Sequence, residues 1–261
     1  MNLHKLIFTN NACYKAGKII TPKGIMVHST GANNPNLKRY VGPDDGLLGV
    51  NTAKNYWNTS RPDGREVCVH AFIGKLKDGS IATYQTLPWN MQGWHCGGTA
   101  NNNYIGFEIC EDNLTDSRYF NKVYHEAVEL CIYLCKQFNF TEKNIICHSE
   151  GHALGIASNH SDVMHWFPNH GKSMDTFRAE VKAGLADRTE TKSDFKPYSI
   201  KVSIPSLNIR KGPGTDYDKT RKYTGIGTFT IVEEQNGKGG TKWGRLKSGL
   251  GWISLDYADR I

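Results

Sequence analysis

Four of the chain's ten histidines fall in one stretch, IICHSEGHALGIASNHSDVMHWF (Ile145–Phe167). They are His148, His152, His160 and His165, and Asp162 lies among them. Neutral imidazole nitrogens and carboxylate oxygens are ligands that zinc prefers. The stretch opens on an apolar run, Ile145-Ile146-Cys147, which reads as a strand, and continues into a segment rich in Gly, Ser and Asn. An earlier histidine ends a matching apolar run, Ile25-Met26-Val27-His28. Loops that leave strand ends are where open α/β sheets place their sites. His28, His148 and Asp162 are therefore expected to hold one Zn²⁺. Three protein ligands leave a fourth position free, the pattern of a catalytic zinc rather than a structural one. His160, His152 and His165 compete with Asp162 for the third place.

Hydrolysis at such a site needs a proton carrier and a group that steadies an oxyanion. Glu108 lies in Tyr104-Ile105-Gly106-Phe107-Glu108-Ile109-Cys110, among apolar neighbours that raise a carboxyl pKa. It is the candidate for proton transfer; the alternative is an edge carboxylate facing water. His160, two residues before Asp162, suits the oxyanion role; the alternative is a loop histidine with no role.

The elements that must position these groups follow from periodicity. Ile25–His28, 67–74, Ile81–Tyr84, Tyr104–Cys110 and Ile145–Cys147 read as strands, with a hairpin turn at Lys77-Asp78-Gly79-Ser80. Phe120–Phe138 reads as an amphipathic helix. Val123, Ala127, Leu130, Cys131, Leu134 and Phe138 lie on its apolar face, with Glu126 and the solvated His125 off it. Leu47, Val50, Ala53 and Trp57 have near-helical spacing, and Ser173 is placed to cap a last helix with Met174, Phe177 and Val181 inward. Residues 1–24 read as an arm. The expected class is α/β, a mixed central sheet with flanking helices over residues 1–186. Asp187–Lys196 is polar and charged and reads as a linker. Residues 197–261 switch to short strands between Gly turns, the texture of a small all-β barrel.

Composition bounds the partners. The chain has 261 residues, 38% of them hydrophobic and 22% charged, as in an ordinary globular protein. No apolar run approaches the roughly 20 residues of a membrane span, and Leu6-Ile7-Phe8 is too short for a signal-peptide core. Seven scattered cysteines without a CxxC pair read as reduced, buried thiols of a protein made in the cytosol. From Lys196 onward there are twelve Lys/Arg against six Asp/Glu, a balance of +6. That leaves +1 of the total +7 for the first 195 residues, so the tail is the part inclined toward anionic partners. No nucleic-acid partner is expected.

Residues 20 to 183 resemble the zinc-dependent N-acetylmuramoyl-L-alanine amidases of the type-2 family, which includes phage endolysins and peptidoglycan recognition proteins. "IMVHST" is similar to the family's first metal strand and "CHSE" to its second metal histidine. "VHAFIG" followed by "KDGS", the "GWHCGG" loop and "IGFEIC" complete the likeness. The resemblance implies that His28 and His148 are metal ligands, that His70 is a pocket residue, and that Trp94 and His95 line the substrate groove. It also implies a catalytic role for Glu108. In the family the third ligand is an Asp or Cys two residues after a catalytic Lys, usually followed by Pro. "NHSD" offers His160 in place of that Lys and Asp162 as the ligand, with a longer gap from His148 and no Pro.

The tail is similar to bacterial SH3-type cell-wall-binding domains, through "LNIRKGPGTDYDKT" and "WGRLKSGLGWISLDYADRI". Tyr217 and Tyr223 are the surface rings expected to meet the wall, and Trp252 is expected in the core. Together the likenesses imply a peptidoglycan hydrolase acting on Gram-positive walls, with anionic wall polymers as a further partner of the barrel. It is expected to be made in a host cytoplasm without a signal peptide and to act on the wall after release. A non-catalytic peptidoglycan receptor of the same fold and a zinc peptidase cutting within the stem peptide are the alternatives.

Overall fold

The computed structural model describes residues 1–193 and 195–261, with side chains for all of these except 187–193. By internal contacts the chain divides into Met1–Leu185 and Ala186–Ile261. Of the expected linker, 187–196, residues 187–193 continue helix α4 (Met174–Ser193), and residue 194 lies outside the described residues.

The first unit contains strands β1 (Leu3–Lys5), β2 (Gly24–Ser29), β3 (Ala71–Lys75), β4 (Ile81–Gln85), β5 (Tyr104–Ile109) and β6 (Ile145–Cys147). Its helices are α1 (Ala12–Ala16), α2 (Ser117–Phe138), α3 (His148–Ala153) and α4 (Met174–Ser193). The strands form one sheet in the order β1-β4-β3-β5-β2-β6. Only β3 and β4 pair antiparallel, across the expected Asp78-Gly79 turn, where Gly79 takes φ +81°. This is the mixed sheet with flanking helices that the sequence suggests.

Alternation along the strands separates two faces. Ile25 and Val27 of β2 and Ile105, Phe107 and Ile109 of β5 join one core with the apolar stripe of α2 and with Met174, Phe177 and Val181 of α4. Met26 faces the other way, into a smaller cluster with Cys96, Ala100 and Ala157 from irregular segments. His28 and Glu108 share that second face. Helix α2 begins where Asp116 caps it, accepting from the amides of Arg118 and Tyr119, and ends at Asn139 in the left-handed region. Ser173 caps α4, its hydroxyl accepting from the Thr176 amide.

Several expectations are corrected. Residues 1–24 are not a loose arm, because β1 extends the sheet beside β4 and α1 follows it. Leu47–Trp57 contains no helix; its apolar residues instead pack irregularly, with the Trp57 amide bonded to the Tyr40 carbonyl at 2.8 Å. Residues 67–70 precede β3 rather than belonging to it, although Cys68 makes a bridge to Trp94. Glu126, off the apolar stripe of α2, is buried all the same. All seven cysteines are free thiols, and six are buried.

The second unit is an antiparallel seven-stranded sheet in the order β13-β7-β10-β11-β12-β8-β9. The strands are β7 (Tyr198–Val202), β8 (Asn208–Arg210), β9 (Lys219–Tyr223), β10 (Gly227–Gly237), β11 (Gly240–Leu246), β12 (Trp252–Ser254) and β13 (Ala258–Arg260). Its core holds Ile200, Val202, Ile209, Ile231 and Ile253. This separate all-β unit fits an SH3-like fold. Trp252 is buried, whereas Tyr217 and Tyr223 are 46% and 57% exposed. Among the described residues, no helix is long and apolar enough to cross a membrane.

Candidate metal centre

The parallel register places the chemistry. His28 at the end of β2 stands opposite Glu108 of β5. On the other side of β2, Val27 stands opposite Cys147, so the next residue, His148, emerges beside His28. Three adjacent strands thus deliver Glu108, His28 and His148 in a row at their carboxyl ends. The sequence suggested a loop after Cys147; instead His148 opens the short helix α3, which fixes its backbone. Asp162 comes from the segment after α3 and reaches back to the same point.

His28, His148 and Asp162 each present one donor atom to a common centre. His28 Nδ1 lies 3.1 Å from Asp162 Oδ2 and 3.1 Å from His148 Nδ1. His148 Nδ1 lies 3.5 Å from the same carboxylate oxygen. Donors at about 2.0–2.1 Å from a tetrahedral ion are about 3.3 Å apart, so this triangle has the dimensions of one face of such a site. All three residues are buried. Burial lowers the His28 pKa, partly offset by Asp162. Burial would raise that of Asp162, but the adjacent His148 and His28 outweigh it and hold the carboxyl well below its usual range. An anionic oxygen and two imidazole nitrogens packed this closely suit a divalent cation.

A cavity of about 650 Å³ opens onto this triangle. Glu108 lines it, and its Oε2 is buried with no hydrogen-bond partner among the described residues. Burial pushes its pKa well up, and the charges of Asp162 and Glu111 add to this against Arg65. A carboxyl so placed has the position and polarity to exchange a proton with a group bound in the cavity. His160 stands at the mouth, its side chain 62% exposed, stacked on His148 at 4.7 Å and with Nδ1 3.8 Å from Asp162 Oδ1.

The other histidines go elsewhere. His152 is exposed and bonds the Ala157 carbonyl. His165 binds Glu111 at 2.9 Å. Neither joins the triangle. His70 is fully buried behind the cavity, one ring nitrogen on the Met91 carbonyl (2.8 Å) and the other accepting from the Gly106 amide (3.1 Å). Trp94 and His95 line the cavity, Trp94 half exposed and His95 against His28. Burial, then the neighbouring His28 and His70, holds His95 well below the usual imidazole range. Tyr217 and Tyr223 belong to the second unit. Tyr40, Arg65 and Ser158 also line the cavity and were not legible beforehand, since they lie in irregular segments without periodicity.

Comparison with curated proteins returned no match. Among solved structures, the chain is similar to PlyL at 23% identity over 70% of this chain and 98% of that one, with TM-score 0.50. A mutant of PlyL matches at 24% identity, covering 70% and 100%, with TM-score 0.51. The Staphylococcus aureus hydrolase AmiA, solved in complex with its ligand, matches at 14% identity over 74% of this chain and 87% of that one, with TM-score 0.54. These likenesses establish a shared fold. The family model described as N-acetylmuramoyl-L-alanine amidase matches residues 19–168, a span that contains all three residues of the triangle and Glu108. The chain belongs to the N-acetylmuramoyl-L-alanine amidase family.

Proposed function

We propose that this chain is a zinc-dependent peptidoglycan hydrolase of the endolysin kind. In this reading it cleaves the amide between the lactyl group of N-acetylmuramic acid and L-alanine of the stem peptide. The observation that carries the reading is the donor triangle of His28, His148 and Asp162 beside the unpartnered Oε2 of Glu108 in one cavity. Zn²⁺, when held by those three residues, supplies Lewis acidity toward the amide carbonyl and lowers the pKa of water to around 7. Glu108 takes a proton from the attacking water and delivers it to the amide nitrogen as the C–N bond breaks. His160, solvent-facing at the cavity mouth, donates a hydrogen bond to the developing oxyanion. Trp94 and His95 border the substrate groove.

The domain assignment belongs to the same proposal: catalytic residues 1–186, linker 187–196 and wall-binding SH3-type barrel 197–261. Tyr217 and Tyr223 supply exposed rings and the basic surface attracts anionic wall polymers. The enzyme is made in a host cytoplasm and reaches the Gram-positive wall after release.

Turbidity clearing of purified walls, with and without a chelator, followed by mass spectrometry of the digest, tests this. Clearing that stops with chelator and returns with Zn²⁺, with free L-alanine amino termini in the digest, is expected. His28→Ala and His148→Ala should lose both zinc and clearing, and Glu108→Gln should retain zinc and lose turnover. New termini only within the stem peptide would make it a peptidase, and wall binding without any cleavage a receptor.

A further inference from the structure

The triangle explains which atoms face the cation; the opposite edges of the two imidazoles explain how those atoms come to be bare. His28 Nε2 lies 2.9 Å from His95 Nδ1, and His95 Nε2 lies 3.3 Å from the Tyr104 carbonyl oxygen. A carbonyl only accepts, so the proton of neutral His95 sits on Nε2 and its Nδ1 is an acceptor. His28 Nε2–H must then donate to it, which leaves His28 Nδ1 as a lone pair inside the triangle. The reverse arrangement would let His28 Nδ1–H donate to Asp162 Oδ2 at 3.1 Å, but it would set a bare nitrogen against the Tyr104 oxygen and place a proton where a cation must sit.

A second chain repeats the logic at the other histidine. Ser158 Oγ–H donates to the Cys96 carbonyl at 3.0 Å, using its one proton. Its lone pair therefore accepts from His148 Nε2–H at 3.2 Å, and His148 Nδ1 is left bare. Both chains run back to the segment 95–104. Buried Asn101 shapes that segment, its Oδ1 accepting from the amides of His95 (2.9 Å) and Cys96 (3.1 Å). The segment also needs Gly106: a Cβ there would stand 2.5 Å from His95 Nδ1.

We propose that His95 and Ser158 are positioning residues that lock His28 and His148 in the Nε2–H tautomer, so that two Nδ1 lone pairs and the Asp162 carboxylate converge on one cation. This rests on the zinc reading above and reassigns His95 from a groove-lining residue to a brace behind the metal ligand. Outer partners of this kind typically set 10–100-fold of metal affinity.

Two readouts test it. The first is the tautomeric state of His28 and His148 by ¹⁵N NMR of the full chain stripped of metal, which needs no activity. The second is Zn²⁺ affinity by competition with a chromophoric chelator. The parent should show Nε2–H at both residues. His95→Phe should bind zinc about 10–100-fold more weakly, and His95→Asn, whose side-chain oxygen replaces the Nδ1 acceptor, should recover most of that. Ser158→Ala should weaken zinc similarly, with recovery in Ser158→Thr. Nδ1–H in the parent at either residue, or parental affinity in both His95→Phe and Ser158→Ala, overturns the proposal. Should His95→Phe fail to fold, the parent spectrum and the Ser158 pair still decide. A parent that binds no zinc sinks the metal reading instead, a result the stripped-chain spectrum is independent of.

Discussion

His70 shows what a buried imidazole does when it is not a ligand. Burial pushes its pKa from 6.5 down to about 4, against weaker upward pulls from the Met91 carbonyl and the Gly106 backbone. The sign follows from proton counting. Above pH 6.5 neither the native nor the unfolded chain protonates this ring, and its full contribution to stability is present. As pH falls from 6.5 toward 4 the unfolded chain gains a proton that the native one refuses, so stability is lost across that window. A difference of this size corresponds to about 3 kcal/mol. His70→Gln cannot titrate. The expected outcome, read by urea unfolding at a series of pH values, is that the stability gap between parent and variant narrows by about that amount from pH 7 to pH 4. Curves that stay parallel would show that His70 is protonated in the native protein without cost.

At the scale of elements, what the sequence disclosed depended on how local the signal was. The apolar runs ending in His28 and His148 announced β2 and β6, and the stripe from Val123 to Phe138 announced α2. The pairing of β2 with β5 and β6 was not legible, because register is decided between strands far apart in sequence, and it is that register which sets Glu108 beside His28. Asp162 was readable as a donor type, yet its approach to His28 depends on a segment with no period. The burial of Glu126 was not legible for a related reason. On the helix it belongs to the polar side, but β1 and β4 lie over it: the Asn2 amide donates to its Oε1 at 2.7 Å and the Thr83 hydroxyl at 2.8 Å. It therefore clasps the first strand to α2. Glu126→Leu leaves two donors without an acceptor at a cost of about 1–3 kcal/mol each. A lower melting temperature with rapid amide exchange in residues 2–5 is expected, and Glu126→Gln, which keeps an acceptor, should lose much less. Unchanged exchange in the Leu variant would mean that β1 is held by its pairing with β4 alone.

Across the whole molecule, charge is uneven, +1 in the first 195 residues and +6 from Lys196 onward. Part of the excess is displayed on an edge. Strand β9 closes one side of the second sheet, and its Lys219, Arg221, Lys222 and Tyr223 are all exposed. Lysines on an edge strand guard against strand addition by another chain, so their presence alone does not make a binding surface. Salt separates the two roles. A surface that holds an anionic wall polymer weakens as ions screen it, since the screening length falls from about 10 Å at 0.1 M to about 3 Å at 1 M. A guard against strand pairing has no such dependence on wall binding. Exposed charges are worth about 0.5 kcal/mol each, so Lys219→Gln, Arg221→Gln and Lys222→Gln together should weaken sedimentation of the full chain with polymer-bearing walls by about tenfold at low salt. The same variant should flatten the salt dependence while zinc content stays at the parental level. Equal binding by parent and variant at every salt concentration would leave β9 a guarded edge and move the wall contact to another face of the sheet.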